Sequence, residues 1–197
     1  SKNRIILELD SKGCVSASVT SSTAERKSRT VIALRAGRLQ LQHNTLGDDV
    51  PVVVLLKALG VASDLEVCGL IGPEPALQDA LSASLEEAAA LGIFSTEQAL
   101  DYIGGKAKAK RTLGRSHLSK VEEGRAVLAH VVLSHVPVVR WNLRPKALYV
   151  AHMVRRILLT AAGASRLDDK DYYGNKRVEL AGQLMALLFE DCFKRLN

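Results

Sequence analysis

Seven cationic side chains crowd one short stretch of this sequence. Lys106, Lys108, Lys110, Arg111, Arg115, Lys120 and Arg125 stand against only Glu122 and Glu123, which gives the stretch a net +5 of the chain's formal +6. The K-x-K-x-K-R spacing fits neither a strand seam nor a helical heptad and predicts a Gly-punctuated loop between two helices. Such a loop could hold phosphates, with an affinity from counterion release that fades with salt. It could equally be a solvated charge run. A second basic group follows, with Arg140, Arg144, Lys146, His152, Arg155 and Arg156 and no acid between Glu123 and Asp168. It could face phosphate or pair with carboxylates from elsewhere in a larger assembly.

Asp168-Asp169-Lys170-Asp171 invites a metal reading. As a calcium loop starting at Asp169, the pattern has Asp171 and Gly174 at positions three and six. It then fails, with Tyr173 at position five and Leu180 where a bidentate Glu is needed. No raised-pKa partner supports a catalytic carboxylate pair. The plainer expectation is a polar loop capping the last helix, its acids favouring the helix N-terminus. His43, His117, His130, His135 and His152 form no HExxH, and the isolated Cys14, Cys68 and Cys192 form neither a zinc ribbon nor a disulfide framework. A reducing compartment is the simpler reading. Trp141, the one tryptophan, sits between cations and could stack on a base, although an anchoring core role is expected of a lone Trp. No catalytic residue and no metal ligand set emerges.

Elements that would position these residues can be read from patterning. Of the 197 residues 47% are apolar, enough for a substantial core, and the pI is about 9.3. No apolar run approaches the ~20 residues of a membrane span. The N-terminus carries no signal peptide, and the absence of an initiator Met suits a piece of a longer chain. Residues 5–9, 15–20, 31–34 and 39–41 read as strands, with Gly13 and Ala36-Gly37 as turns. The Ser/Thr-rich stretch 21–30 predicts a solvated connection. Helices follow, each with a start or stop signal: 52–59 after Pro51, then one opened by the box Ser63-x-x-Glu66, then about 75–91 ending at Gly92. Ser95-x-x-Gln98 opens a helix closed by Gly104-Gly105. Ser119-x-x-Glu122 opens one to about Leu133, Pro145 one to Gly163, and the last runs from about Asn175 to Leu196. The fold class is α+β: a small antiparallel sheet near the N-terminus followed by a helical body.

One segment carries a specific resemblance. Asp168-Asp-Lys-Asp-Tyr-Tyr-Gly-Asn-Lys-Arg-Val-Glu-Leu-Ala-Gly-Gln-Leu184 resembles the DD-x-D-x-x-G-N/K-K/R-R signature of the second-largest subunit of DNA-directed RNA polymerases. Upstream strings resemble the lobe of that subunit, nearly end to end and in order. They include Val15–Thr23 with Glu25–Thr30, His43-Asn-Thr45, Asp49–Val54 running to Gly60, Ala99–Gly104 and His135-Val-Pro137. The Ser/Thr string, His-Asn-Thr, DYYGNKR and the tail Leu187–Phe193 are more similar to the polymerase III paralogue than to those of polymerases I and II. The alternatives are the same region of polymerase I or II, or a free-standing basic nucleic-acid-binding domain. A stand-alone enzyme with a metal on the 168–171 carboxylates is a third.

The resemblance implies a division into a lobe, 1–165, and a returning segment and helix of the neighbouring protrusion, 166–197. It implies a non-catalytic wall of the downstream DNA cleft within a nuclear nucleotidyltransferase, with magnesium held elsewhere in the assembled enzyme and no cofactor in this segment. The implied partners are template DNA, the largest subunit, the rest of the second-largest subunit, a TFIIF-like heterodimer and a cleavage/termination subunit. No membrane is implied. By position in the motif, Asp171, Lys176 and Arg177 are the implied nucleic-acid contacts. Lys176 stands where bacterial relatives have Arg, and a point charge suits phosphate better than base reading. Lys106, Lys108, Lys110 and Arg111 join them as candidates from the basic run. The last helix is apolar over most of its circumference, and without the rest of the protrusion it is expected to show a bare apolar face.

Overall fold

The computed structural model describes residues 3–10, 12–23, 27–107, 119–169 and 171–196. Lys108, Lys110, Arg111 and Arg115 lie outside them. Five strands form an antiparallel meander in sequential order: β1 (Ile5–Leu9), β2 (Val15–Ser22), β3 (Lys27–Arg35), β4 (Arg38–His43) and β5 (Val50–Pro51). The register aligns Leu7, Ala17, Ile32 and Leu41 across four strands, and all four are buried on one face. This is the period-2 alternation that the sequence predicts.

One part of the sheet departs from the sequence reading. Residues 21–22 and 27–30 are strand rather than a solvated connection, and 24–26 lie outside the described residues. Ser21, Ser28 and Thr30 are buried; the Thr30 hydroxyl has no hydrogen-bond partner among the described residues, whereas the two serine hydroxyls do. Ser28 Oγ donates to the Val131 carbonyl at 3.1 Å, and Ser21 Oγ lies 2.8 Å from His135 Nδ1. A hydroxyl with a protein partner is as admissible in a core as an apolar group, so composition alone misplaced the segment.

Seven helices follow among the described residues: α1 (Val52–Ala58), α2 (Asp64–Ile71), α3 (Pro75–Ala90), α4 (Thr96–Lys106), α5 (Lys120–His130), α6 (Arg144–Ala161) and α7 (Ala181–Leu196). The α+β expectation holds. The inner face of the sheet is covered by α6 across β1–β3 and by α3 over β4 and β5, with α1 buried along its whole length between them. The boxes at Ser95 and Ser119 form in full. At Ser63 the hydroxyl accepts from Glu66 N, but the Glu66 carboxylate takes the Ala62 N–H instead of that of Ser63. α7 begins at Ala181, not Asn175, after a single 3-10 turn at Tyr173–Asn175. Asp169 and Asp171 therefore stand well before its first turn and do not cap it.

Two contacts fix α5, which with α4 flanks the basic run. Their backbones touch: a methyl on Gly104 would sit 1.9 Å from the Lys120 carbonyl oxygen, and one on Gly124 2.4 Å from that of Leu100. Only glycine allows helices this close. The second contact is Lys146, 1% exposed. Its ammonium donates to the carbonyls of Leu128, Ala129 and Val132 at 2.8, 2.9 and 2.6 Å, filling orphan acceptors at the end of α5. Burial lowers its pKa to about 8.

The chain divides into two units, a large body ending at Asp168 and a short one beginning at Asp169. In the short unit, Leu184, Met185, Leu188, Phe189 and Phe193 of α7 are exposed, with Phe189 and Phe193 stacked at 6.2 Å. The expected bare apolar face is present.

Gly124→Ala should cost about 1–3 kcal/mol of unfolding free energy in urea, the range for overpacking. Gly105→Ala, with open space around it, should be neutral or stabilise by up to ~1 kcal/mol. Equal effects would contradict the close approach. A second prediction concerns pH. The body must desolvate the Lys146 ammonium below about pH 8, whereas in the unfolded chain the group keeps its proton to about pH 10. Stability should therefore rise with pH across that window. The free-energy difference between wild type and Lys146→Met, measured from pH 7 to 10.5, should move toward wild type by about 1–3 kcal/mol, and a flat difference would contradict the assignment.

Candidate nucleic-acid interface

The basic face of α6 is largely neutralised within the chain. Arg155 forms a two-pronged pair with Glu74, at 2.5 and 3.0 Å, and also donates to the Ile71 carbonyl. The Arg155 guanidinium holds the Glu74 carboxyl below the usual carboxylate range. Arg156 pairs with Asp168 at 3.1 Å, Arg144 pairs with Glu66, and Lys146 is buried. The partners are acids of this same chain, brought over by folding. Such fork-to-carboxylate pairs leave little charge for phosphate. Arg35 is spent similarly, on Asp10 at 2.6 Å and Asp49 at 3.2 Å.

Lys106 is the one member of the candidate K-x-K-x-K-R group in view. Its ammonium lies 3.8 Å from Asp48, 3.4 Å from the Asp49 carbonyl and 4.8 Å over the Tyr102 ring. Gly47 N donates to the Lys106 carbonyl at 2.8 Å, which ties the end of α4 to the loop before β5. Lys106 is thus partly buried and partnered rather than a free cation. The Ser119 capping box opens α5 after the run.

The acidic motif splits into two parts with different work. Asp168 belongs to the large body. Its carboxylate accepts from Leu7 N at 2.9 Å and from Arg156 at 3.1 Å, and its own N–H donates to the Leu7 carbonyl at 3.1 Å. It therefore completes the free edge of β1 like one residue of a sixth strand. From Asp169 onward the motif is exposed. Asp169 Oδ1 accepts from Asp171 N at 2.8 Å, and Asn175 Nδ2 reaches back to the Asp169 carbonyl at 2.6 Å, closing a turn on itself. Lys176 pairs with Asp171 at 3.2 Å, and Arg177 donates to the carbonyls of Gly174 and Lys176. The three motif candidates, Asp171, Lys176 and Arg177, come together on this turn. Asp171 is 93% exposed on its side chain, and Tyr173 is 91% exposed at the tip. An exposed pair of this kind is worth little by itself and is easily traded for a phosphate.

Trp141 is not a core anchor. It is 59% exposed and packs edge-on against His130, with centroids 6.1 Å apart. Arg140 and Trp141 both have positive φ, 51° and 61°, and Asn142 N donates to the Val139 carbonyl at 3.0 Å. That is the φ pattern of a type I′ turn, which favours Asn-Gly. Two large residues there cost roughly 1–2 kcal/mol each. Neither residue is a turn former, so the sequence held no signal for it. Among the described residues no group of three His, Cys, Asp or Glu converges as a metal site would need, and no helix is long and apolar enough to cross a membrane.

An antiparallel meander under a helical layer, leading into an anchored DD-x-D turn, belongs to a known class of domain. Residues 1–179 match the model of RNA polymerase Rpb2, domain 2, and the chain belongs to that family. It is 53% identical over its whole length to DNA-directed RNA polymerase III subunit rpc2 of Dictyostelium discoideum. It is 51% identical to subunit RPC2 of Schizosaccharomyces pombe and 47% to that of Saccharomyces cerevisiae. The polymerase III resemblance of the motifs is borne out. The chain spans 12% of the length of the first relative and 17% of the other two.

Asp168→Ala should lower stability by about 1–3 kcal/mol, the cost of stranding buried hydrogen-bond partners. Asp171→Ala should stay within about 0.5 kcal/mol, as exposed positions do. Paired urea denaturation curves check this, and a larger loss at Asp171 would reverse the division of labour.

Proposed function

We propose that this chain is the lobe of a polymerase III second-largest subunit, with residues 1–165 as the lobe proper and 166–197 as the segment returning to the protrusion. In the nucleus it acts as a wall of the downstream DNA cleft and a dock for accessory subunits, and it performs no bond chemistry itself. The nucleotidyl transfer of the assembled enzyme, with its magnesium, belongs to protein outside this segment. The observation that carries the reading is the motif turn: one aspartate anchored in the body, and one Lys, one Arg and an Asp held in the open just beyond it. Identity of 47–53% to polymerase III subunits supports the paralogue. The bare face of α7 supports burial against the remainder of a subunit roughly six to eight times longer than this chain. A TFIIF-like heterodimer and a cleavage/termination subunit are the accessory partners of this reading, alongside the largest subunit and template DNA.

Phosphate contact by Lys176 and Arg177 makes a measurable claim. In polymerase assembled with a full-length second subunit, Lys176→Ala and Arg177→Ala should each weaken binding to a forked DNA template without sequence preference. Each should also reduce the slope of log K against log salt by about one. Unchanged slopes in both variants would remove the phosphate role.

A further inference from the structure

Two adjacent tyrosines form the tip of the motif turn. Tyr172 is 64% exposed and Tyr173 91%. Rings left in water forgo the burial that aromatic side chains otherwise contribute. Their backbone is nonetheless fixed. The Tyr172 carbonyl accepts from Asn175 N at 2.9 Å and the Tyr173 carbonyl from Lys176 N at 3.0 Å. The two rings differ in setting. A methyl on Gly174 would sit 2.4 Å from Tyr172 Cε1, so the Tyr172 ring lies against the backbone of the turn. The Tyr173 ring rests in no pocket. Tyr173–Asn175 is a single 3-10 turn, and three residues per turn bring positions 173 and 176 to one side of it. Both carboxylates of the turn are engaged within it, Asp169 by the Asp171 N–H and Asp171 by Lys176.

We propose that Tyr173 stacks on an unpaired base of DNA lying along the motif turn. The inference rests on the cleft-wall reading above and deepens it, because it gives the turn a preference for unpaired over paired DNA. In a duplex each base is already stacked on both sides and offers only its edges and phosphates, so a protruding phenol ring has no face to meet. In an unpaired strand the base face is open. Such stacking needs one free ring face and is tolerant of base identity. A ring and an ammonium on one side of a single turn match the base and the phosphate of a nucleotide. The Lys176–Asp171 pair does not stand in the way, since an exposed pair is worth little and yields to a phosphate. The fixed backbone at both tyrosines lowers the cost of ordering the tip when the strand arrives.

The test uses polymerase assembled with a full-length second subunit, on a forked template that carries 2-aminopurine at each unpaired position in turn. Stacking on an aromatic ring quenches the fluorescence of this base. Wild type should quench it at one unpaired position. Tyr173→Leu should lose that quenching and about fivefold or more of the preference for forked over fully paired DNA. Tyr173→Phe should retain both, because the ring and not the hydroxyl makes the contact. The slope of log K against log salt should stay the same in Tyr173→Leu, since a neutral side chain releases no counterions. With the ring 91% exposed, neither substitution removes a packing contact, so a folding defect does not mimic the effect. Equal quenching in wild type and Tyr173→Leu at every position would overturn the proposal, as would a loss in Tyr173→Phe as large as that in Tyr173→Leu. So would shielding of a Tyr173→Cys thiol from a water-soluble maleimide in polymerase without DNA, which would assign the ring to a protein partner. Unchanged salt slopes in Lys176→Ala and Arg177→Ala, with the quenching intact, would instead count against the phosphate contacts alone.

Discussion

One carboxylate determines where the chain leaves its large body. Asp168 takes the Leu7 N–H and the Arg156 guanidinium with its side chain, and it returns its own N–H to the Leu7 carbonyl. Leu7 is fully buried at the centre of β1, and Arg156 lies on α6, which covers the sheet. The clamp thus joins the edge strand, the covering helix and the exit of the chain at one point. The turn that follows is closed by its own bonds at Asp169 and Asn175. A carboxylate tolerates such a half-buried edge because each partner is a donor.

Formal charge is a poor guide to surface field in this fold. Of the cations around α6, Arg144 and Arg155 are each paired with an acid distant in sequence, Arg156 with Asp168 just beyond the helix, and Lys146 with backbone carbonyls. Folding thus neutralises most of the cations of α6 within the chain. Among the described residues, cations outside α6 stay exposed, Lys12, Lys27, Lys120, Arg125, Arg140 and Arg166 among them.

Much of this was legible beforehand. Strand alternation at Leu7, Ile32 and Leu41 and the Ser-x-x-Gln and Ser-x-x-Glu boxes located the sheet and helices, because local backbone satisfaction is written in local sequence. The motif candidates Asp171, Lys176 and Arg177 were named from resemblance, and the structure places them on one turn. What escaped was set by tertiary partners. The burial of Ser21 and Ser28 depends on His135 and the Val131 carbonyl, more than a hundred residues away. The neutralisation of Arg155 depends on Glu74, and the exposure of Trp141 depends on a turn made from residues that do not favour turns. No window of sequence contains both members of such a pair.

The central claim is that nucleic acid meets the motif turn and not the ion-paired face of α6. A photo-crosslinking residue placed at Tyr173, the exposed tip, and in a second preparation at His152, exposed on α6, would test it in polymerase stalled on labelled DNA. The account predicts DNA adducts from position 173 and none from 152. Adducts from 152 alone would contradict it.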